Sequence, residues 1–70
     1  MTKYYLDVIT SGTNFNGREA YIIEAQHLNT STHGYYYFYN SRSDLNGVMI
    51  YEPIAYFPID RTIISKIENL

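Results

Sequence analysis

Five aromatic residues follow one another at the centre of the chain: Tyr35, Tyr36, Tyr37, Phe38 and Tyr39. A β-strand sends alternate side chains to opposite faces. The run therefore predicts a strand with Tyr35, Tyr37 and Tyr39 on one side, and with Tyr36 and Phe38 on the other. The chain has 70 residues, and a chain of that size buries only about 60% of the surface that its unfolded form exposes. Both ring sets cannot easily be core, so one set is expected to be partly exposed.

The composition predicts one small domain, residues 1–70, with a thin core. The chain contains no Cys, which excludes disulfides, thiolate metal sites and cysteine-based catalysis. Small chains without such links commonly depend on a second subunit, so we expect a homodimer or larger homo-oligomer. The formal net charge of -2 and the 17% of charged residues disfavour a strongly basic nucleic-acid binder, so duplex nucleic acid is not an expected partner.

Short runs rich in Ile, Tyr, Val and Thr alternate with clusters of Gly, Asn, Ser and Asp, which is typical of short strands joined by turns. Asn-Gly pairs at 16–17 and 46–47 are typical of tight turns. We predict an all-β fold, either a small partly open barrel or a curled meander of about five antiparallel strands. The predicted strands cover residues 4–10, 19–28, 35–39, 48–57 and 62–67.

The local structure of two segments can be interpreted in more than one way. Pro53 has no amide proton, so the fourth strand is predicted to lie at a sheet edge or to bulge near Glu52 and Pro53. The segment 62–67 fits either a strand with Ile63 and Ile67 pointing inward or a short C-terminal helix. The β-branched residues at its start favour the strand.

Few residues could carry catalysis or hold a metal ion. His27 and His33 flank one predicted turn, but neither their spacing nor a nearby carboxylate pair supplies the further ligands that a metal site needs. No nucleophile-elbow, phosphate-loop or zinc-protease motif occurs. We therefore expect a protein that is not an enzyme and that has no catalytic residues, no metal and no cofactor.

The aromatic run is the strongest candidate for a binding surface, because Tyr combines a large apolar ring with a hydrogen-bonding tip. An aromatic residue in a polar loop and two arginines beside turns, where they could grip a phosphate, extend the set. Three interpretations stay open: core filling, a protein or self-association surface, and a stacking platform for bases. The candidate contact residues are Tyr35, Tyr37, Tyr39, Phe15, Arg18 and Arg42.

The second half of the chain resembles known small barrels. From Tyr35 onward, an aromatic strand and a polar turn are followed by VMIYEPIAYFPIDRTIISKIE, residues 48–68. This pattern resembles the closing half of Src-homology-3-like and Sm-like barrels, in which a short turn precedes a final strand rich in isoleucine. The resemblance implies a small-barrel fold and carries no functional motif. The Sm-type uridine-binding signatures are not matched, so RNA binding is not implied.

The heavy use of Ile, Tyr and Asn is similar to that of short accessory proteins of low-GC bacteria and their phages. Such proteins often bind and block a host protein or a small signal. This likeness adds to the expectation of a binding protein and implies an origin in a phage or prophage.

Together these features predict a non-enzymatic binding module that sequesters or inhibits a protein partner. The alternative is a small-barrel binder of a nucleotide or short single-stranded nucleic acid, which would use Tyr stacking and the turn arginines. A pocket that combines Arg18 or Arg42 with Tyr rings would favour the alternative, whereas an exposed apolar patch without a basic rim would favour the module. No signal peptide and no long apolar run is visible, so a cytoplasmic location without membrane contact is expected.

Overall fold

The computed structural model describes residues 1–10 and 17–70, which form two three-stranded antiparallel sheets. Sheet A has the strand order β2-β1-β6 and sheet B has the order β3-β4-β5. The predicted all-β fold is confirmed, as a curled meander rather than a closed barrel. The elements are β1 (Thr2–Ile9), β2 (Arg18–Ala25), β3 (His27–Thr30), β4 (Tyr35–Ser43), β5 (Met49–Pro58), a 3₁₀ turn (Ile59–Arg61) and β6 (Thr62–Asn69).

The stretch predicted as one strand over residues 19–28 is divided between the two sheets, because the chain bends at Gln26. The backbone N–H of Gln26 donates to Asn40 Oδ1 at 2.8 Å. The backbone N–H of Ser41 donates to Gln26 Oε1 at 2.7 Å. Two side-chain amides thus supply the acceptors that a regular ladder would provide, and the chain changes sheets with both of these N–H groups satisfied.

The core lies between the two sheets and is small. Its buried apolar members are Tyr4 and Leu6 from β1, Ala25 from β2 and Phe38 from β4. The rings of Tyr4 and Phe38 meet edge-on at 5.0 Å, which joins sheet A to sheet B. Of the two sides of the aromatic run, it is the Phe38 side that belongs to the core.

β5 lies at the edge of sheet B and carries a bulge, as Pro53 predicts. Phe38 pairs with Ala55, but the next residue of β4, Tyr39, pairs with Pro53, so Ile54 is an extra residue in the edge strand. A bulge moves all residues beyond it to the opposite phase of the alternation. This local change decides which tyrosines of β5 share a face.

The C-terminal segment is a strand, as its β-branched residues favour, and it follows a 3₁₀ turn. The prediction that Ile63 points into the core is wrong. A register shift against β1 places a bulge at Ser65, which changes the alternation along β6. Ile64 therefore packs against the core and Ile63 lies on the outward side. Ile67 pairs with Tyr4 on the core side, as predicted, but it lies in an edge strand and remains exposed.

The turn between β4 and β5 is shorter than the polar stretch 40–47 suggests, since β4 continues to Ser43. Gly47 has a φ of 79°, in the left-handed region that an Asn-Gly pair predicts. Asp44 Oδ1 accepts a hydrogen bond from the backbone N–H of Val48 at 2.9 Å, which closes the turn. The turn fixes the register of β4 against β5, and with it the positions of the aromatic rings on both strands.

Candidate functional site

The outward side of sheet B carries a group of aromatic side chains from all three strands. The inward residues of β4 alternate with outward ones, and the cross-strand pairs extend the outward set to β3 and β5. We call this group the tyrosine face. It consists of His27, Tyr37, Tyr39, Tyr51, Pro53 and Tyr56.

The rings of the tyrosine face lie in a row and support one another. The centroid of Tyr37 is 5.2 Å from that of Tyr39 and 5.9 Å from that of Tyr56, with 25° between the planes in both pairs. His27 stacks on Tyr39 at 4.9 Å, and its Nε2 lies 2.9 Å from Ser41 Oγ. Offset stacking of this kind is favourable and limits the freedom of each ring. The face is therefore ordered before anything binds to it.

A groove of 380 Å³ opens on this face, lined by Pro53 and four tyrosines. Tyr51 is 64% exposed and Tyr56 is 60% exposed, so both rings present most of their area to solvent. Tyr51 also meets Tyr39 edge-on at 5.8 Å. The groove thus offers apolar ring surface together with hydroxyl groups, which suits the side chains of another protein.

The three tyrosines predicted as one contact set are divided between two places. Tyr37 and Tyr39 are half-buried and line the groove of the tyrosine face. Tyr35 lies on the same side of β4, but it lines a separate groove of 500 Å³ together with His33, Pro58 and Asp60. The structure therefore brings together two of the three predicted tyrosines.

The predicted arginines do not join the tyrosines. Arg18 begins β2, in sheet A. Arg42 lies on the same side of β4 as the inward Phe38, away from the tyrosine face, and its Nε donates to Glu52 Oε1 at 2.6 Å. Neither arginine lines the groove of the tyrosine face. Phe15, the remaining predicted contact residue, lies outside the described residues.

Four members of the tyrosine face are missing from the predicted contact set: His27, Tyr51, Pro53 and Tyr56. Tyr51 and Tyr56 are five residues apart, so a regular strand would point them to opposite faces. The bulge at Ile54 brings both to the outward side. Pro53 is the sequence signal that could have indicated this, because it already predicted a bulge in the strand.

The outward side of sheet A has a different character, and we call it the charged face. Lys66 Nζ lies 3.1 Å from Glu68 Oε2 and 5.3 Å from the centroid of the Tyr5 ring. The hydrogen bond to Glu68 raises the pKa of Lys66. The lysine therefore keeps its charge at every pH below the ordinary lysine pKa. The charged side chains of this face are Lys3, Asp7, Arg18, Glu24, Lys66 and Glu68.

The two histidines do not form a common site. His27 belongs to the tyrosine face, whereas His33 is exposed in the turn after β3. In residues 1–10 and 17–70, no three His, Asp or Glu side chains are grouped so that they could hold a metal ion.

Comparison with protein-family models, with curated proteins and with solved structures finds no match to this chain. In the part of the chain that the structure describes, no helix is long and apolar enough to cross a membrane. The candidate site is therefore defined by the geometry and chemistry of its own residues.

Proposed function

We propose that the protein is a non-enzymatic binding module that sequesters or inhibits a protein partner through the tyrosine face. One observation carries the proposal: no outward position of sheet B, all of which lies in the described residues, holds a charged side chain. The outward positions that follow from the strand pairing are His27, Asn29, Tyr35, Tyr37, Tyr39, Ser41, Ser43, Met49, Tyr51, Pro53, Tyr56 and Pro58.

The physical reason is the composition that protein interfaces share. The central part of an interface is depleted in charged residues and enriched in Tyr, Trp, Phe and Met. Tyr in particular supplies contact area at a low cost in side-chain entropy. A sheet face that meets only water ordinarily carries polar and charged residues, as the charged face of sheet A does. The exposed rings of Tyr51 and Tyr56 are therefore best explained as contact residues.

A nucleotide or a short single-stranded nucleic acid is the competing ligand. Such a ligand needs cationic side chains for its phosphates, beside the rings on which its bases stack. Arg42 is engaged by Glu52 on the other side of the sheet. The second groove contains Tyr35 but also Asp60, whose carboxylate repels phosphate. The distribution of charge therefore supports a protein partner over a phosphate ligand.

Affinity capture with a matched control tests the proposal. Three tagged chains are incubated with a lysate of the native host: wild type, Tyr51→Ser/Tyr56→Ser, and Ile22→Ser/Ile63→Ser. The control removes exposed apolar side chains from the outward side of sheet A, where Ile22 is 57% and Ile63 is 43% exposed. Mass spectrometry then identifies the proteins and small molecules that each chain retains.

We expect one protein to be retained by wild type and by the isoleucine control, and to be lost by the tyrosine variant. Retention of the same proteins by all three chains would contradict the proposal. Recovery of a nucleotide or an oligonucleotide with wild type, without any protein, would favour the competing ligand.

A further inference from the structure

The occupant of the tyrosine face can be inferred from the size and shape of the chain. A monomeric protein of 8.2 kDa is expected to expose about 4500 Å². This chain exposes 5143 Å², so roughly 600 Å² is in excess of the expectation. Stable dimers bury about 800 Å² on each partner. The excess is therefore of the size that one additional protein contact would remove.

The dimensions of the chain also indicate that it is less compact than a monomeric domain of this length. The radius of gyration is 14.3 Å, whereas about 11 Å is expected for a compact domain of this length. The shortest extent is 13 Å, little more than the roughly 10 Å that separates two stacked sheets. The two sheets are thus the only layers along this direction in the described residues, and none of residues 1–10 and 17–70 covers the tyrosine face.

The charge distribution favours sheet B over sheet A as the face for self-association. In a twofold-symmetric dimer a surface patch meets an identical patch, and residues near the axis lie close to their own copies. On the charged face, a charged side chain near the axis would therefore meet a like charge. The tyrosine face has no charged side chain and incurs no such repulsion. It is therefore the face that tolerates contact with itself.

We infer that the protein occupying the tyrosine face is a second copy of this chain, with sheet B of one copy packed on sheet B of the other about a twofold axis. Stacked sheets with interdigitating side chains are the common way in which two uncharged sheet faces are buried. The exposed rings of Tyr51 and Tyr56 then enter the groove of the partner copy. This inference rests on the proposed function, because both assign the same face to a protein contact; the protein that the capture experiment recovers through this face is then the untagged chain itself.

Sedimentation of purified wild type, Tyr51→Lys and Ile22→Lys at micromolar concentration tests the inference. Both substitutions add one positive charge at an exposed strand position, at 64% and 57% exposure respectively. We expect wild type and Ile22→Lys to sediment at twice 8.2 kDa. Tyr51→Lys should dimerise at least tenfold more weakly, since the dimer brings a lysine from each copy into an apolar contact. A wild type that sediments only as a monomer, or a Tyr51→Lys chain that dimerises like wild type, would overturn the inference.

A second measurement needs no variant and so does not depend on the folding of one. A mixture of isotope-labelled and unlabelled wild-type chains is examined for magnetisation transfer between copies. Transfer from the ring of Tyr51 or Tyr56 to rings of the other copy is expected. Transfer confined to residues of sheet A would overturn the inference.

The second copy and the binding face can be excluded separately. If wild type is monomeric but the change Tyr51→Ser/Tyr56→Ser abolishes capture of another protein, the second copy is excluded and the binding face remains. If wild type is monomeric and the tyrosine change alters no protein capture, both the second copy and the proposed function are excluded.

Discussion

Sheet A and sheet B have the same construction but opposite outward chemistry. Each has three antiparallel strands and turns one face to the shared core. Sheet A carries charged residues outside, and its Lys66 lies between the Glu68 carboxylate and the Tyr5 ring. Sheet B carries no charge outside, and its rings stack on one another. Since both faces belong to one short chain, overall composition cannot explain the difference. The contrast is the basis for proposing that only sheet B meets another protein.

The largest expected effect belongs to the core that both sheets share. Phe38→Ala removes the ring that joins the sheets and should lower the free energy of unfolding by about 3–5 kcal/mol, which is most of the stability of a small domain. Tyr37→Ala, one position along on the outward side, should leave a folded chain. Circular dichroism during urea unfolding measures both. A Phe38→Ala chain with the wild-type midpoint would contradict the placement of the core.

The second effect separates the two outward faces. Central interface tyrosines contribute about 2 kcal/mol each, so Tyr51→Ser/Tyr56→Ser should weaken self-association at least tenfold. Ile22→Ser/Ile63→Ser on sheet A should leave it unchanged. The dissociation constants come from sedimentation equilibrium, and the thermal midpoints are compared at a dilution at which all chains are monomeric. Equal weakening by both double variants would remove the distinction between the faces.

The third effect concerns the bend through which the chain passes from one sheet to the other. Asn40→Ala removes the acceptor of the Gln26 N–H, and should cost about 1 kcal/mol in the free energy of unfolding. Amide exchange should accelerate at Gln26 in particular. Ser43→Ala, near the end of the same strand, is the control. Unchanged exchange at Gln26 would show that the Asn40 side chain does not hold the bend.

The smallest effect is expected on the charged face. Lys66→Gln removes one member of an exposed ion pair, and such pairs contribute little to stability. Because the raised pKa keeps Lys66 charged throughout the neutral range, the thermal midpoints of wild type and variant should keep the same small difference there. Self-association should also be unchanged. Loss of dimerisation in Lys66→Gln would move the contact to sheet A.

Regular alternation made the central strand predictable from sequence. The aromatic run predicted that its two sides differ, and Phe38 is buried while Tyr37 and Tyr39 lie on the outward side. The Asn-Gly pair at 46–47 predicted the turn that sets the register of the next strand. These features depend on residues that are neighbours in the chain, so local stereochemistry decides them.

The missed features depend on residues that are distant in sequence or on a change of phase. The bend at Gln26 needs the side chain of Asn40, fourteen residues later. The bulges at Ile54 and Ser65 reverse the alternation partway along a strand, which brought Tyr56 to the tyrosine face and Ile63 to the surface. Both bulges are visible only in the pairing with a neighbouring strand, so a period-2 pattern alone could not place these residues.

The most direct test of the central claim is a dilution series followed by the ring proton resonances of the tyrosines. If two copies join through sheet B, the resonances of Tyr37, Tyr39, Tyr51 and Tyr56 should change together as the protein is diluted. The resonances of Tyr5 on the charged face should stay constant, because this ring contacts Lys66 of its own chain. Constant resonances at all tyrosines, or a change at Tyr5 as large as that at Tyr51, would contradict the account.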